Sequence, residues 1–335
     1  MKRNVAIGLF ISSLLVVLIF RRLDLNQLLN SLQSARYPYL VGAALCPFLA
    51  VLTRSLRWRI LIMPLKSIAT SALFSAVSIG AMTDMVLPAR PGDFIRAWLI
   101  GKNEDVSKVA SFATIVVERV LDIMTLLLIL LFVLSFFKMP VESVRVEKAL
   151  QLIGYVSGAI CFAALGALML LKYKTNPTIR VIKLFFAFLP QRWSERITGA
   201  LEAFSFGLQA VKKGRHLIGL FSFSLLLWSV FAFSNYIVLS SFDLDFPVSA
   251  AFYFLIFQVL GVMIPASPGF IGTYHGAVVA GFAVFRVSTE MAFSVAVMMH
   301  AVFFIPFISL GLICLWKENL SFRNLRHAKI QALQG

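Results

Sequence analysis

The chain has 335 residues, of which 60% are hydrophobic and only 14% charged, with a net charge of +16 and a mean hydropathy of +0.89. A soluble globule is about half apolar and about a quarter charged, so a water-soluble enzyme fold is excluded and a single membrane domain over residues 1–335 is expected. The basic residues flank apolar runs instead of forming one solvated block, which assigns them to membrane orientation and anionic lipid, with no role in binding nucleic acid.

The first apolar run, residues 5–20, follows Lys2 and Arg3 as a signal peptide would. It lacks a small-residue cleavage site and runs into Arg21 and Arg22, so a retained anchor is expected. Further apolar runs lie near 38–53, 68–87, 106–137, 149–171, 216–242, 247–265, 270–286 and 290–316. Several approach the roughly 20 residues that a spanning helix needs. Cys46, Cys161 and Cys314 sit far apart within such runs and read as small core hydrophobes, not as a disulfide framework or a metal site.

Orientation follows from the basic residues of the connections. The amphipathic connection at about 172–215 carries Lys172, Lys174, Arg180, Lys183, Arg192, Arg196, Lys212, Lys213 and Arg215 against Glu195 and Glu202, which places it in the cytoplasm. Nine full crossings would put the Arg54, Arg57, Arg59 and Lys66 cluster outside, against the rule. Two re-entrant hairpins resolve the conflict, one over 68 to about 103 from the cytoplasm and one over 247–286 from outside. The expected fold is therefore all-α and polytopic, with about six spanning helices plus two re-entrant hairpins. Both termini are then cytoplasmic, and Asp243 and Asp245 face outward.

An internal repeat supports the hairpins. Val86-Leu87-Pro88-Ala89-Arg90-Pro91-Gly92 recurs 177 residues on as Met263-Ile264-Pro265-Ala266-Ser267-Pro268-Gly269. Each copy lies between two apolar runs, so a unit of helix, hairpin and helix occurs at about 38–137 and again, inverted, at about 216–316. Pro removes a backbone donor and Gly permits a sharp reversal, so each copy breaks a helix. The freed backbone groups then need protein or a wet cavity around them, unless the breaks are ordinary loops at the membrane surface.

Charge inside these runs marks the candidate chemistry. Arg90, Asp93 and Arg96 recur every three residues and share one face if Asp93 opens a helix, either as two guanidiniums flanking one carboxylate in a phosphate site or as positive-inside anchoring with a surface ion pair. Glu118, Arg119 and Asp122 span an arc of about 100° on the fourth run. Inserting the three costs roughly 8 to 10 kcal/mol, comparable to what about twenty apolar residues return, so they must be paired and turned inward. They serve either as a functional site or as an ionic lock between helices. Arg54, Arg57 and Trp58 close the second run as substrate ligands or as an interfacial anchor. His275 follows Gly272 by three and suits titration, phosphate donation or helix capping, while His300 reads as a packing histidine.

Four motifs in order, Arg54-x-x-Arg57-Trp58, Pro88-x-Arg90-x-Gly92-Asp93-x-x-Arg96, Glu118-Arg119-x-x-Asp122 and Pro265-x-x-Pro268-Gly269-x-x-Gly272, resemble the membrane region of the lysylphosphatidylglycerol synthases, a flippase-like family also called UPF0104. The resemblance covers roughly residues 5–316 and implies movement of phospholipid between leaflets of the cytoplasmic membrane. In full-length synthases a soluble transferase follows, which is expected to be absent here. Asp93 replaces an expected Glu, and His275 replaces an acidic residue found in many members. The implied function is a lipid translocase or lipid-linked transporter for anionic or modified phospholipids. Arg54, Arg57, Arg90, Asp93 and Arg96 would bind substrate, and Glu118, Arg119 and Asp122 would act as polar gate or counter-charge. Pro88, Pro91, Gly92, Pro265, Pro268, Gly269, Gly272 and His275 would shape the hairpins. No cofactor or metal is expected, and a lipid-synthesis enzyme is the candidate protein partner. The rival functions are an intramembrane headgroup transferase, with Asp93, Glu118 or His275 as base, and a non-catalytic scaffold.

Overall fold

A computed structural model describes residues 24–87, 90–136, 214–264, 268–285 and 287–321, with isolated helical positions between 152 and 199. The expected runs at 5–20 and 149–171, most of the 172–215 connection, Cys161, Pro88 and Pro265 lie outside the described residues. Among the described residues the fold is all-helical, without strands.

Helix α1 (Leu25–Ser34) is capped by Asp24, whose carboxylate accepts from the backbone N–H of Asn26 at 2.8 Å and of Gln27 at 3.3 Å. The apolar runs did not announce this element. Its signal was Asp24 followed three residues later by Gln27, whose amide returns to the cap carboxylate. Next come α2 (Tyr37–Ala43) and α3 (Cys46–Ile62), which together make one apolar stretch of 26 residues. The charged group Arg54 and Arg57 was expected to close this run near residue 53, but α3 continues to Ile62 and carries both arginines inside it. Carboxylates on a later helix neutralise Arg57, so charge does not end the helix.

The hairpin of α4 (Thr70–Val86) and α5 (Gly92–Asn103) follows, then α6 (Lys108–Phe136). The second half repeats the order with α7 (Gly214–Ser241), the pair α8 (Val248–Met263) and α9 (Thr273–Phe282), and α10 (Thr289–Lys317). The C-terminal ends of α4 and α8, Val86 and Met263, are 177 residues apart, matching the offset of the Pro-Gly repeat. Contacts repeat as well: α3 packs on α7, α4 on α10, and α8 on α6. Exchange of the two halves maps the α3–α7 contact onto itself and interchanges the α4–α10 and α8–α6 contacts.

Tyr37–Ile62, Leu217–Ser241 and Thr289–Lys317 are long and apolar enough to cross a membrane. Helix α6 has 29 residues and matches them in length, but it holds ionised groups at mid-helix. Helices α4 and α8, with 17 and 16 residues, reach only about 26 and 24 Å, short of a hydrocarbon core about 30 Å thick.

Each short pair turns back toward the end it left. Lys66, ahead of α4, donates to the carbonyl of Glu104, behind α5, at 2.6 Å and pairs with its carboxylate at 3.3 Å. Phe246, ahead of α8, packs at a tilt against Phe285, behind α9, with ring centroids 4.7 Å apart. Small residues let the arms close. A Cβ on Gly92 would meet the Gly80 carbonyl and lie 2.6 Å from the Asp84 carboxyl carbon, and one on Gly261 would lie 2.8 Å from the Thr273 carbonyl. At the second break Gly269 and Gly272 hold φ of 76° and 96°, a region that suits glycine. The two breaks also meet each other: the Arg90 guanidinium lies 5.3 Å from the Phe270 ring centroid.

Candidate functional site

Four helices bring the charged motifs together. Arg57 on α3 is wholly buried and donates through both terminal nitrogens to the carboxylate of Asp122 on α6, Nη2 at 3.2 Å and Nη1 closer. Nη1 also donates to the Ser224 hydroxyl on α7. Its Nε lies 3.6 Å from Glu118 Oε1, a Coulombic contact too long for a hydrogen bond. Glu118 spans two guanidiniums, since its Oε2 accepts from Arg96 Nη2 at 2.9 Å. Arg96 pairs with Asp93 at 3.3 Å, one turn back on α5, where the helix start favours a carboxylate. Arg119 bridges Asp93 at 3.5 Å and Asp122 at 3.3 Å.

Six residues, Arg57, Asp122, Arg119, Asp93, Arg96 and Glu118, thus form a closed ring of ion pairs joining α3, α5 and α6. Glu118, Arg119 and Asp122 face one interior, as their arc required. The interfacial-anchor alternative for Arg57 and Trp58 is overturned. Trp58 has no exposed surface, donates its indole N–H to Thr114 at 2.9 Å, and lies with its ring 4.3 Å below the Arg96 guanidinium.

Arg90 departs from the expected shared face. Helix α5 begins at Gly92, so Asp93 and Arg96 lie on it, whereas Arg90 precedes it with φ of 48° and takes no part in the ring's ion pairs. Proline at 91 carries the reason, because its ring disfavours a helical conformation in the preceding residue. Arg90 instead borders a cavity of about 210 Å³ where the two breaks meet. Arg54 and Asp84 line the same cavity, with Trp228 and Phe231 from α7, Gln258 from α8, Tyr274 from α9 and His300 from α10.

Neither Arg54 nor Arg90 forms an ion pair with a carboxylate among the described residues. Arg90 reaches the Val262 carbonyl at 3.5 Å, and Arg54 Nε is buried with no hydrogen-bond partner there. Sequence reasoning missed Asp84, whose Oδ1 accepts the Gly92 N–H at 2.7 Å and fixes the turn into α5. Its signal was a lone carboxylate within an apolar run. Gln258 was missed as well; its amide exchanges hydrogen bonds with Asn235 on α7 at 2.8 and 3.0 Å.

His300 is a satisfied packing histidine, with its Nε2 2.8 Å from the Gly269 carbonyl, and it also forms cavity wall. His275 packs behind it with ring centroids 5.0 Å apart and does not border the cavity. Pro91 caps α5, and Pro268, Gly269 and Gly272 form the second break. Among the described residues no three His, Cys, Asp or Glu side chains gather as a metal site requires.

Long apolar helices around a buried ionic ring define an integral membrane protein with ionised groups held in its interior. Residues 5–311 match the family described as the lysylphosphatidylglycerol synthase TM region, and the chain belongs to that family. It is 24% identical over 323 residues to glycosyltransferase AglD of Haloferax volcanii, covering 89% of this chain and 52% of that protein. To a UPF0104 membrane protein of Methanothermobacter thermautotrophicus it is 21% identical over 312 residues, covering 84% and 86%. To one of Methanocaldococcus jannaschii it is 30% identical over 135 residues, covering 38% and 39%. The chain thus spans about half the length of AglD and about two fifths of the Methanocaldococcus protein.

Proposed function

We propose that this chain moves a phosphate-bearing lipid between the leaflets of the cytoplasmic membrane, with the headgroup passing through the cavity between the two breaks. The observation that carries this reading is a division of labour among five arginines. Arg57, Arg96 and Arg119 are neutralised by Asp93, Glu118 and Asp122, whereas Arg54 and Arg90 border the cavity without a carboxylate partner among the described residues. Arg54 and Arg90 contact the headgroup phosphate, and the ring holds α3, α5 and α6 as its counter-charged support. A guanidinium suits this role because its planar fork matches phosphate oxygens.

In this reading the α4/α5 and α8/α9 pairs are re-entrant hairpins, related as inverted repeats, whose tips meet within the membrane. One end of the bundle carries Lys66, Glu104 and the Asn103–Glu318 contact at 3.1 Å, and faces the cytoplasm with both termini; the other carries the Arg36–Asp243 pair at 2.8 Å. Cysteines placed at Lys102 and Asp243 should react with impermeant reagents from opposite sides. Labelling of both from one side would overturn the orientation.

The direct test is leaflet exchange of labelled phospholipids in proteoliposomes. Arg54→Ala and Arg90→Ala are each expected to slow exchange about 10- to 100-fold, the loss of one charge-assisted hydrogen bond, while leaving the melting temperature near that of the native chain. No exchange by folded native protein would sink the proposal. The name of AglD and the carboxylate Asp84 at the cavity favour a second reading, headgroup transfer, which the same vesicles report as a chemically altered lipid by mass spectrometry.

A further inference from the structure

Asp84, Asp93, Glu118 and Asp122 are carboxylates set within the apolar helices α4, α5 and α6. Asp93, Glu118 and Asp122 each pair with two arginines of the ring. Asp84 pairs with no cation among the described residues, and its one hydrogen bond there is from the Gly92 N–H to Oδ1, at 2.7 Å. Its other oxygen, Oδ2, has no partner there and is not one of the polar atoms that protein encloses completely, so it stays accessible on a residue that borders the cavity. A carboxylate in a bilayer interior is either held ionised by cations or gives way to its neutral acid, and such residues recur in proton relays. Three of these four have their cations. Asp84 can gain and lose charge without breaking an ion pair.

The groups around it leave that role to Asp84. Asp93 and Arg90 act on its charge from α5 and the break before it, and Arg119 does so from α6. Arg54 on α3, Tyr274 on α9 and His300 on α10 border the same cavity, and the second break, Pro268–Phe270, brings no titratable side chain. Arginine stays protonated, Asp93 is held by two guanidiniums, and a tyrosine phenol is neutral near pH 7. His300 is the one rival, and its Nε2 is engaged with the Gly269 carbonyl.

A lipid phosphate held by Arg54 and Arg90 shares the cavity with the Asp84 carboxylate. Two negative charges in one poorly screened space oppose each other, so phosphate entry favours the neutral acid, and protonation favours phosphate entry by the same factor. Protonation also acts on the backbone. A neutral acid accepts about half as strongly as a carboxylate, and the Gly92 hydrogen bond fixes the turn into α5. The proton thus admits the phosphate and loosens the break that carries Arg90.

Resting on the translocase reading above, we infer that Asp84 is a proton-binding site and that the lipid phosphate crosses together with one proton. The carboxylate takes the proton from water on one side and returns it to water on the other, so no co-reactant is consumed. A pH gradient then drives lipid toward the alkaline side.

Labelled phosphatidylglycerol in proteoliposomes tests this, with the potential held at zero by valinomycin and equal potassium on both sides. Under a gradient of about one pH unit, the native chain is expected to enrich the label about tenfold in the leaflet facing the alkaline side, beyond protein-free vesicles. Asp84→Asn keeps an oxygen for the Gly92 N–H and cannot ionise, so any exchange it supports should end in an even distribution. His300→Gln should reach the native ratio, whatever its rate. A second readout needs no turnover. Adding short-chain phosphatidylglycerol to the purified full chain in neutral detergent should raise a protonated-carboxyl band in infrared difference spectra, and Asp84→Asn should lack it. Asp84→Glu should shift that band without abolishing it, which serves where the asparagine variant does not fold. An even distribution by the native chain under the gradient overturns the coupling and leaves translocation standing. Enrichment or a carboxyl band that survives in Asp84→Asn overturns the assignment to Asp84. Absence of exchange by folded native protein at any gradient overturns the translocase reading, and the infrared band then decides alone whether Asp84 takes up a proton.

Discussion

Replacing Arg57 by alanine is expected to be among the most destabilising single changes in this protein, at about 3 to 5 kcal/mol. The side chain has no exposed surface and reaches Asp122, Glu118 and Ser224 on two other helices. Its removal leaves Asp122 with Arg119 alone and Glu118 with Arg96 alone, three carboxylates against two guanidiniums in a water-poor interior, and the penalty is that of an unbalanced buried charge. A domain stable by about 5 to 15 kcal/mol loses a large share of that margin, so melting temperature in detergent and yield of folded protein should both fall. Arg57→Lys keeps the charge but cannot span both Asp122 oxygens and the hydroxyl together, and should recover only part of the loss. An alanine variant that melts with the native chain would show that the ring carries little stability.

Trp58→Ala is expected to cost about 3 to 5 kcal/mol, for a different reason. The indole fills space between α3, α5 and α6, donates to Thr114 and supports the Arg96 guanidinium. Truncation leaves a void and unseats an arginine of the ring. Trp58→Phe retains most of the ring surface and loses the hydrogen bond, so its cost should be about 1 kcal/mol. Unfolding measurements on the pair distinguish the two terms. A tryptophan anchoring at the membrane interface would give almost no effect in detergent, and that outcome would contradict its buried position.

The two substitutions also mark where sequence stops being informative. Runs of apolar residues locate α4, α6, α7, α8 and α10 within a few positions, because a helix in hydrocarbon must be apolar for most of its length. Repetition of Pro-Ala-x-Pro-Gly reveals the two breaks, because two prolines and a glycine cannot sit in a continuous helix. Charge placement within α3 was less legible. Arg54 and Arg57 look like a helix end to any reading of local hydropathy, and the carboxylate that admits Arg57 lies 65 residues away on another helix. Arg90 was misplaced for a local reason that was readable: Pro91 excludes it from the helix shared by Asp93 and Arg96. Trp228, Tyr274 and Ser224 carry no signal in the chain, since nothing distinguishes them from other aromatic and hydroxyl residues of apolar helices until tertiary contacts select them.

The two hairpins repeat each other in backbone and differ in electrical character. From Val248 to Phe285 there is no Asp, Glu, Lys or Arg, whereas the first hairpin carries Asp84, Arg90, Asp93, Arg96 and Lys102. A transmembrane potential exerts force only on charge, worth about 2.3 kcal/mol for each elementary charge moved through 100 mV. Under the proposed transport, a membrane potential would therefore couple only to the first hairpin, and there only to its unbalanced charge, since its two aspartates offset two of its three basic residues.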